Sequence, residues 1–151
     1  MALAGSGLFL ATFIDMLDDT ALDIDWTSET DLKAALYTNS ITTPNFDSNV
    51  GYGAAPFNAN EVTGTGYTAG GVVLTTTTLT GSSGVVTFDA ADASWTSSTI
   101  TAAEGVLIYD DSQTSNNGLV LVDLGSPYTT AAGTLLISWS ASGIATWDLV
   151  P

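Results

Sequence analysis

The chain has 151 residues, with 1 Lys+Arg against 16 Asp+Glu, no His and no Cys, for a formal net charge of −15. That length suits one domain with a sizeable core, and 45% hydrophobic residues separate it from disordered acidic chains. The composition excludes disulfides, Cys/His metal centres and His- or Cys-dependent triads. With a single cation, Lys33, it also excludes attraction to a nucleic-acid backbone or an anionic membrane.

Residues 8–14 are apolar apart from Thr12, but no basic residue precedes them and Asp15 interrupts them, so they do not read as a secretion signal. They are too short to span a bilayer. Leu10, Phe13, Ile14 and Leu17 follow i, i+3, i+4, i+7, which predicts a short helix ending near Asp18 and Asp19, where negative charge opposes the helix dipole. Such a helix either packs on its own domain or serves as an arm that docks on a neighbouring subunit. The expected organisation is an N-terminal helix or arm over residues 1–25 and a β-domain over residues 26–151.

From Asp31 the hydrophobic period is two: Leu32, Ala34 and Leu36 share one face, Lys33, Ala35 and Tyr37 the other. Residues 39–69 lose that period. They carry Pro44, Pro56 and several glycines among the aromatics Phe46, Tyr52, Phe57 and Tyr67. This predicts either a long crossover that lays its rings on the domain or a contact loop for a partner. The glycines at 64, 66, 70 and 71 permit positive φ or close backbone approach, so a tight turn or bulge before the Val72 strand competes there with direct partner contact.

Residues 72–79 are β-branched and Thr-rich and predict a strand that keeps Thr76 to Thr78 in the sheet. Gly81, Ser82, Ser83 and Gly84 interrupt it before residues 85–88, a hairpin signal. Ile100 falls in a short Thr-rich strand and residues 105–109 in a buried one. Residues 110–118 form a turn-rich loop, and residues 119–122 are apolar on both faces and hence central. Strands over residues 135–139 and 144–150 finish the chain, with Pro151 unable to extend the last. Seven or eight short strands with one helical pattern predict a mainly β fold: a single antiparallel β-sandwich or jelly-roll-like barrel with a short N-terminal helix or arm. Trp26, Trp95, Trp139 and Trp147 are expected mostly in its core.

The acids form pairs, Asp23 with Asp25, Asp89 with Asp92 and Asp110 with Asp111, of the kind that cleaves glycosides. A chain with sixteen acids offers such pairs by number alone, and the basic donors of sugar sites are missing, so no catalytic residue is assigned. Lys33 reads as an ion-pair partner rather than a Schiff-base lysine. Asn45, Asp47 and Asn49 alternate like a calcium loop, yet Val50 and Pro56 stand where its Gly and Glu are needed. Asp110 and Asp111 near Asn116 and Asn117 are equally loose, and solvated turns account for both. No metal, cofactor or nucleic acid is expected as a ligand.

Several strings recur together: residues 31–39 (DLKAALYTN), 43–47 (TPNFD), 60–71 (NEVTGTGYTAGG) leading to Leu74, 88–90 (FDA), 93–95 (ASW), 98–101 (STIT), 107–111 (LIYDD) and 139–144 (WSASGI). Together they resemble a family of small virion structural proteins encoded by tailed bacteriophages, over most of the chain after about residue 8. The string over residues 61–71 is the most specific. The resemblance implies a virion component with no catalytic motif, either a head decoration (cement) protein on the capsid exterior or a tail, neck or fibre protein. The partners it implies are the major capsid protein and further copies of the chain, a trimer by analogy; for a fibre they are host-surface glycans. Candidate contact residues are Leu8, Phe9, Phe13 and Leu17 on the N-terminal stretch and Phe46, Tyr52, Phe57 and Tyr67 on the long loop.

Overall fold

A computed structural model describes residues 5–17 and 22–150, with no side-chain description for Ala11, Phe13, Asp15 and Leu17. The expected helix end at Asp18 and Asp19 and the expected stop at Pro151 lie outside the described residues. Strand β1 (Gly7–Leu8) and helix α1 (Leu10–Leu17) open the chain. Then come β2 (Leu32–Thr38), β3 (Val72–Val73), β4 (Thr78–Ser82), β5 (Val85–Asp89), β6 (Ala93–Ser98), β7 (Ala103–Asp110), β8 (Gly118–Tyr128), β9 (Gly133–Ile137) and β10 (Ala145–Asp148). All pairings are antiparallel, in three sheets ordered β1-β8-β7-β2-β3, β10-β5-β4 and β6-β9. The fold is mainly β, as the period-two pattern predicts, with the sheets packed as a sandwich.

The alternation along β2 sorts its side chains between two cores. Leu32, Ala34 and Leu36 join Val106, Ile108 and Val120 on the inner face of the large sheet. That face packs on Phe88, Trp95, Leu135 and Ile137 from the smaller sheets, with Trp26 and Phe88 meeting edge to face at 5.0 Å. Ala35, Tyr37, Leu107, Tyr109 and Leu121 point the other way, into a second core with Phe9, Ile41 and Phe57. Every residue of β7 is therefore buried, because the large sheet is covered on both faces. An antiparallel sheet can leave one face wet; here residues 39–69 and the segment before α1 form a roof over it. Without that roof, Tyr37, Leu107, Tyr109 and Leu121 would each meet water at roughly 1.5–3 kcal/mol.

Three expectations need correction. Residues 75–77 leave the sheet: Thr76 takes φ 53° and Thr77 buries its hydroxyl on the Thr27 carbonyl at 2.7 Å, so the chain crosses from the large sheet to the three-stranded one. The β4–β5 hairpin turns on Ser83 and Gly84 alone, at φ 52° and 81°, so Gly81 and Ser82 belong to β4. Ile100 is buried but lies just past β6. For α1, the two described residues of the apolar stripe point outward. Leu10 and Ile14 are 47% and 52% exposed, while Thr12 and Met16 face the body. The Thr12 hydroxyl donates to the Gly118 carbonyl at 2.8 Å, and Met16 Sδ accepts from Trp26 Nε1 at 3.3 Å. Phe9, just ahead of the helix, fills the apolar hole against Phe46 and Phe57, and that fixes the rotation of α1.

Candidate contact surfaces

Three features hold the roof down. The first is the edge of β2. Strand β3 covers only Lys33 and Ala34. Beyond it, residues 60–62 take over: Thr38 N–H donates to Asn60 O, Val62 N–H to Leu36 O, and Tyr37 bridges Glu61. The Leu36 N–H donates to the Tyr67 hydroxyl at 2.9 Å, so a side chain completes the ladder where a strand is missing.

The second is a carboxylate knot. The Glu61 carboxylate accepts from the Tyr67 hydroxyl (2.8 Å), the Gly70 N–H (2.7 Å) and the Tyr52 hydroxyl (3.0 Å). Tyr52 stacks on Tyr109 at 4.6 Å, and the Tyr109 hydroxyl donates to Gly70 O. The Tyr37 hydroxyl donates to Phe57 O at 2.8 Å. Burial, with the Glu61 charge adding to it, pushes the phenols of Tyr37 and Tyr67 above the ordinary tyrosine range. Tyr109 is raised by burial and by Asp111. Tyr52 is pushed up to about 12, by burial first and by its bond to Glu61 second. Glu61 opens the string over residues 61–71, but an isolated Glu in a loop has no periodic signal that marks it as the acceptor of three hydrogen bonds.

The third is glycine. A Cβ on Gly71, at φ +79°, would lie 1.8 Å from Ala34 O, and one on Gly64 would lie 1.9 Å from Thr99 O. The glycine-rich string is thus a backbone strap pressed on β2 and on the residues after β6.

These contacts decide where the candidate contact residues sit. Phe9 and Phe57 are 1% and 2% exposed and fill the roof core, so neither offers surface in the folded chain. Phe46 and Tyr52 pack half-buried against the same core, and Leu8 and Tyr67 against the inner one. Phe13 and Leu17 lie outside the described side chains. The surface that α1 does offer is Leu10 and Ile14, one turn apart on a helix held at both ends. The Leu10 N–H donates to Phe46 O at 2.9 Å, and Met16 is held by Trp26. Val50, 39% exposed, accompanies them; its carbonyl accepts from the Gly118 N–H, beside the Thr12 anchor.

The acidic pairs serve turns. Asp25 Oδ1 accepts from the Thr27 N–H and hydroxyl, which holds its carboxyl below the usual range. Asp89 accepts from Ala90 N–H, and Asp92 from the Ser138 hydroxyl and Trp139 N–H. Asp110, 1% exposed, accepts from Ser112, and Asp111 pairs with Lys33. The Asn45 carboxamide closes its own turn on Asp47 N–H. Asp111 N–H donates to Asp31 O and the Gln113 carboxamide to Asp23 O, so residues 22–31 meet the 110–117 loop in one acidic pole. Among the described residues no group of three or more acids is placed to hold a metal ion. All four tryptophans pack in or against the inner core. Comparison with family models, curated proteins and solved structures found no match.

Proposed function

We propose that this chain is a bacteriophage capsid decoration, or cement, protein that binds the outside of the major capsid protein lattice and stabilises the shell. The observation that carries the reading is the outward apolar face of α1, Leu10 and Ile14, on a helix whose other face is anchored to the domain. Five acids follow within residues 15–25. That sequence of apolar face and acidic run fits a partner groove lined by aliphatic side chains and rimmed by Lys or Arg. A second copy of this chain, with its single Lys33, cannot supply the rim. The rest of the acidic surface faces solvent and repels nucleic acid. The mechanism is mechanical: packaged DNA pushes outward, the decoration protein clamps neighbouring shell subunits, and repeated weak contacts over the lattice add up through avidity. The alternative is a tail, neck or fibre component that touches virion proteins or host glycans. It draws on exposed Tyr128 beside Leu124 and Leu136, around a cavity of about 200 Å³. That volume is below the range of a built small-ligand site.

The test is a Leu10→Ser/Ile14→Ser double variant offered to particles stripped of the protein. Both side chains are about half exposed already, so covering the remainder contributes about 2 kcal/mol per contact, and affinity is expected to fall roughly thirtyfold. Serine also gives up the buried half of each side chain, so the isolated variant should melt a few degrees lower while keeping the circular dichroism of the parent. Undiminished attachment overturns the role given to α1.

A further inference from the structure

We infer that two copies of this chain pair edge to edge through β4, joining their three-stranded sheets into one six-stranded sheet across a two-fold axis at Thr80. The inference stands apart from where the chain is used.

Sheet edges left bare recruit other strands, and soluble proteins guard them with short strands, charges or proline. Strands β1 and β3 have two residues each. Strand β10 ends on Asp148, with Pro151 close behind. Strands β6 and β9 of the two-stranded sheet also leave uncharged edges, but Gly66 lies against the backbone of residues 96–98 on β6 and β9 buries Leu135 and Ile137, whereas β4 is exposed at every residue. Strand β4 has none of these protections. It has five residues, Thr78, Leu79, Thr80, Gly81 and Ser82, all exposed, with no strand on its far side among the described residues. Residues 62–88 hold no charged residue at all in a chain of net charge −15.

The occupant follows from that charge pattern and from the order of the five residues. Two acidic bodies repel each other least where neither carries charge, and β4 lies in the longest such run. Antiparallel pairing about Thr80 sets Thr80 against Thr80 and Thr78 against Ser82, the hydroxyl pairs that favour neighbouring strands. Leu79 then stands opposite Gly81 and diagonal to the partner's Leu79. Leu79 shares its face with Phe88, its cross-strand partner in β5, yet it is 43% exposed because β4 overhangs the inner core. A second β4 covers it. Asp89, opposite Thr78, falls at opposite ends of the paired strands in the two copies, so these charges stay apart. Like strands paired antiparallel give a two-fold contact, not the three-fold one expected by analogy.

The experiment is light scattering on the purified full chain at physiological ionic strength, where a Debye length of about 8 Å damps repulsion between the acidic bodies but not between residues facing each other across paired strands. The expected result is the mass of two chains. Thr80→Asp and Thr80→Lys each place like charges face to face and should give monomers with unchanged circular dichroism and melting. Mixing the two variants should restore the dimer, since only a register with Thr80 on the axis sets Asp against Lys. A monomeric parent chain overturns the inference. So does a parent oligomer that survives both single variants, or a mixture that stays monomeric.

Discussion

Replacing Gly71 by Ala should destabilise the domain by more than about 4 kcal/mol, a large part of the roughly 5–15 kcal/mol that holds a domain of this kind together. Two causes act at once. At φ +79° a side chain is strained, and its Cβ would stand 1.8 Å from Ala34 O, 2.5 Å from Ala34 C and 2.7 Å from Ala35 Cα. All three atoms are β2 backbone, which is held on its other side by β7. The strap must lift instead, and β3 with it, because Val72 and Val73 pair with Ala34 and Lys33. Gly53→Ala separates the two causes. Gly53 has nearly the same φ, +81°, but nothing lies within 4 Å of its Cβ position, so about 1–2 kcal/mol is expected. Urea denaturation of the two variants measures the difference. Equal losses would mean that β2 does not confine the strap.

Glu61→Ala should cost about 3 kcal/mol. The carboxylate accepts three hydrogen bonds, and its removal leaves the Gly70 N–H and two tyrosine hydroxyls to find other partners in a largely closed site. Tyr67→Phe removes one of the same bonds and also strands the Leu36 N–H. The double variant should therefore lose less than the sum of the singles by at least about 1 kcal/mol, and strict additivity would deny the knot. Alkaline titration reads the same cluster. The folded-state phenols of Tyr37, Tyr52, Tyr67 and Tyr109 all lie above the ordinary value of 10.0, so the unfolded chain loses those protons first. Their contribution is complete below pH 10 and falls as pH rises through about 12, where Tyr52 titrates.

Much of the sandwich is legible from period two. Leu32, Ala34 and Leu36 alternate with Ala35 and Tyr37 in the sequence and enter different cores in the structure. The aromatic loop over residues 39–69 is legible as a segment that lays Phe46, Tyr52, Phe57 and Tyr67 either on the domain or on a partner, and the structure packs them on the domain. What period two cannot give is register. An extra residue at Glu104, where β2 pairs Tyr37 with Gly105 and then Thr38 with Ala103, buries a carboxylate that alternation alone does not place. Leu119 and Val120 enter the same core for the same reason, at a bulge between Ile108 and Tyr109. The direction of the α1 face is not legible, because helical spacing identifies an apolar stripe without saying what it meets. Phe9 takes the place in the core, Thr12 binds Gly118, and Leu10 and Ile14 turn outward. Glu61 is invisible as a pattern, since its partners come from Tyr52, Tyr67 and Gly70 through a loop path with no period. The string over residues 61–71, the most specific part of the resemblance, is accounted for by the fold alone: it contains the carboxylate, one of the tyrosines it binds and the glycines that let the strap lie on β2.

The most direct measurement of the proposed role is an image reconstruction of the intact virus particle that contains this chain. Decoration predicts density for the sandwich on the outer surface of the shell, repeated with the major capsid protein lattice, with α1 and the acidic run that follows it against the shell. Density confined to the tail or neck, or a mature particle without the chain, would contradict it.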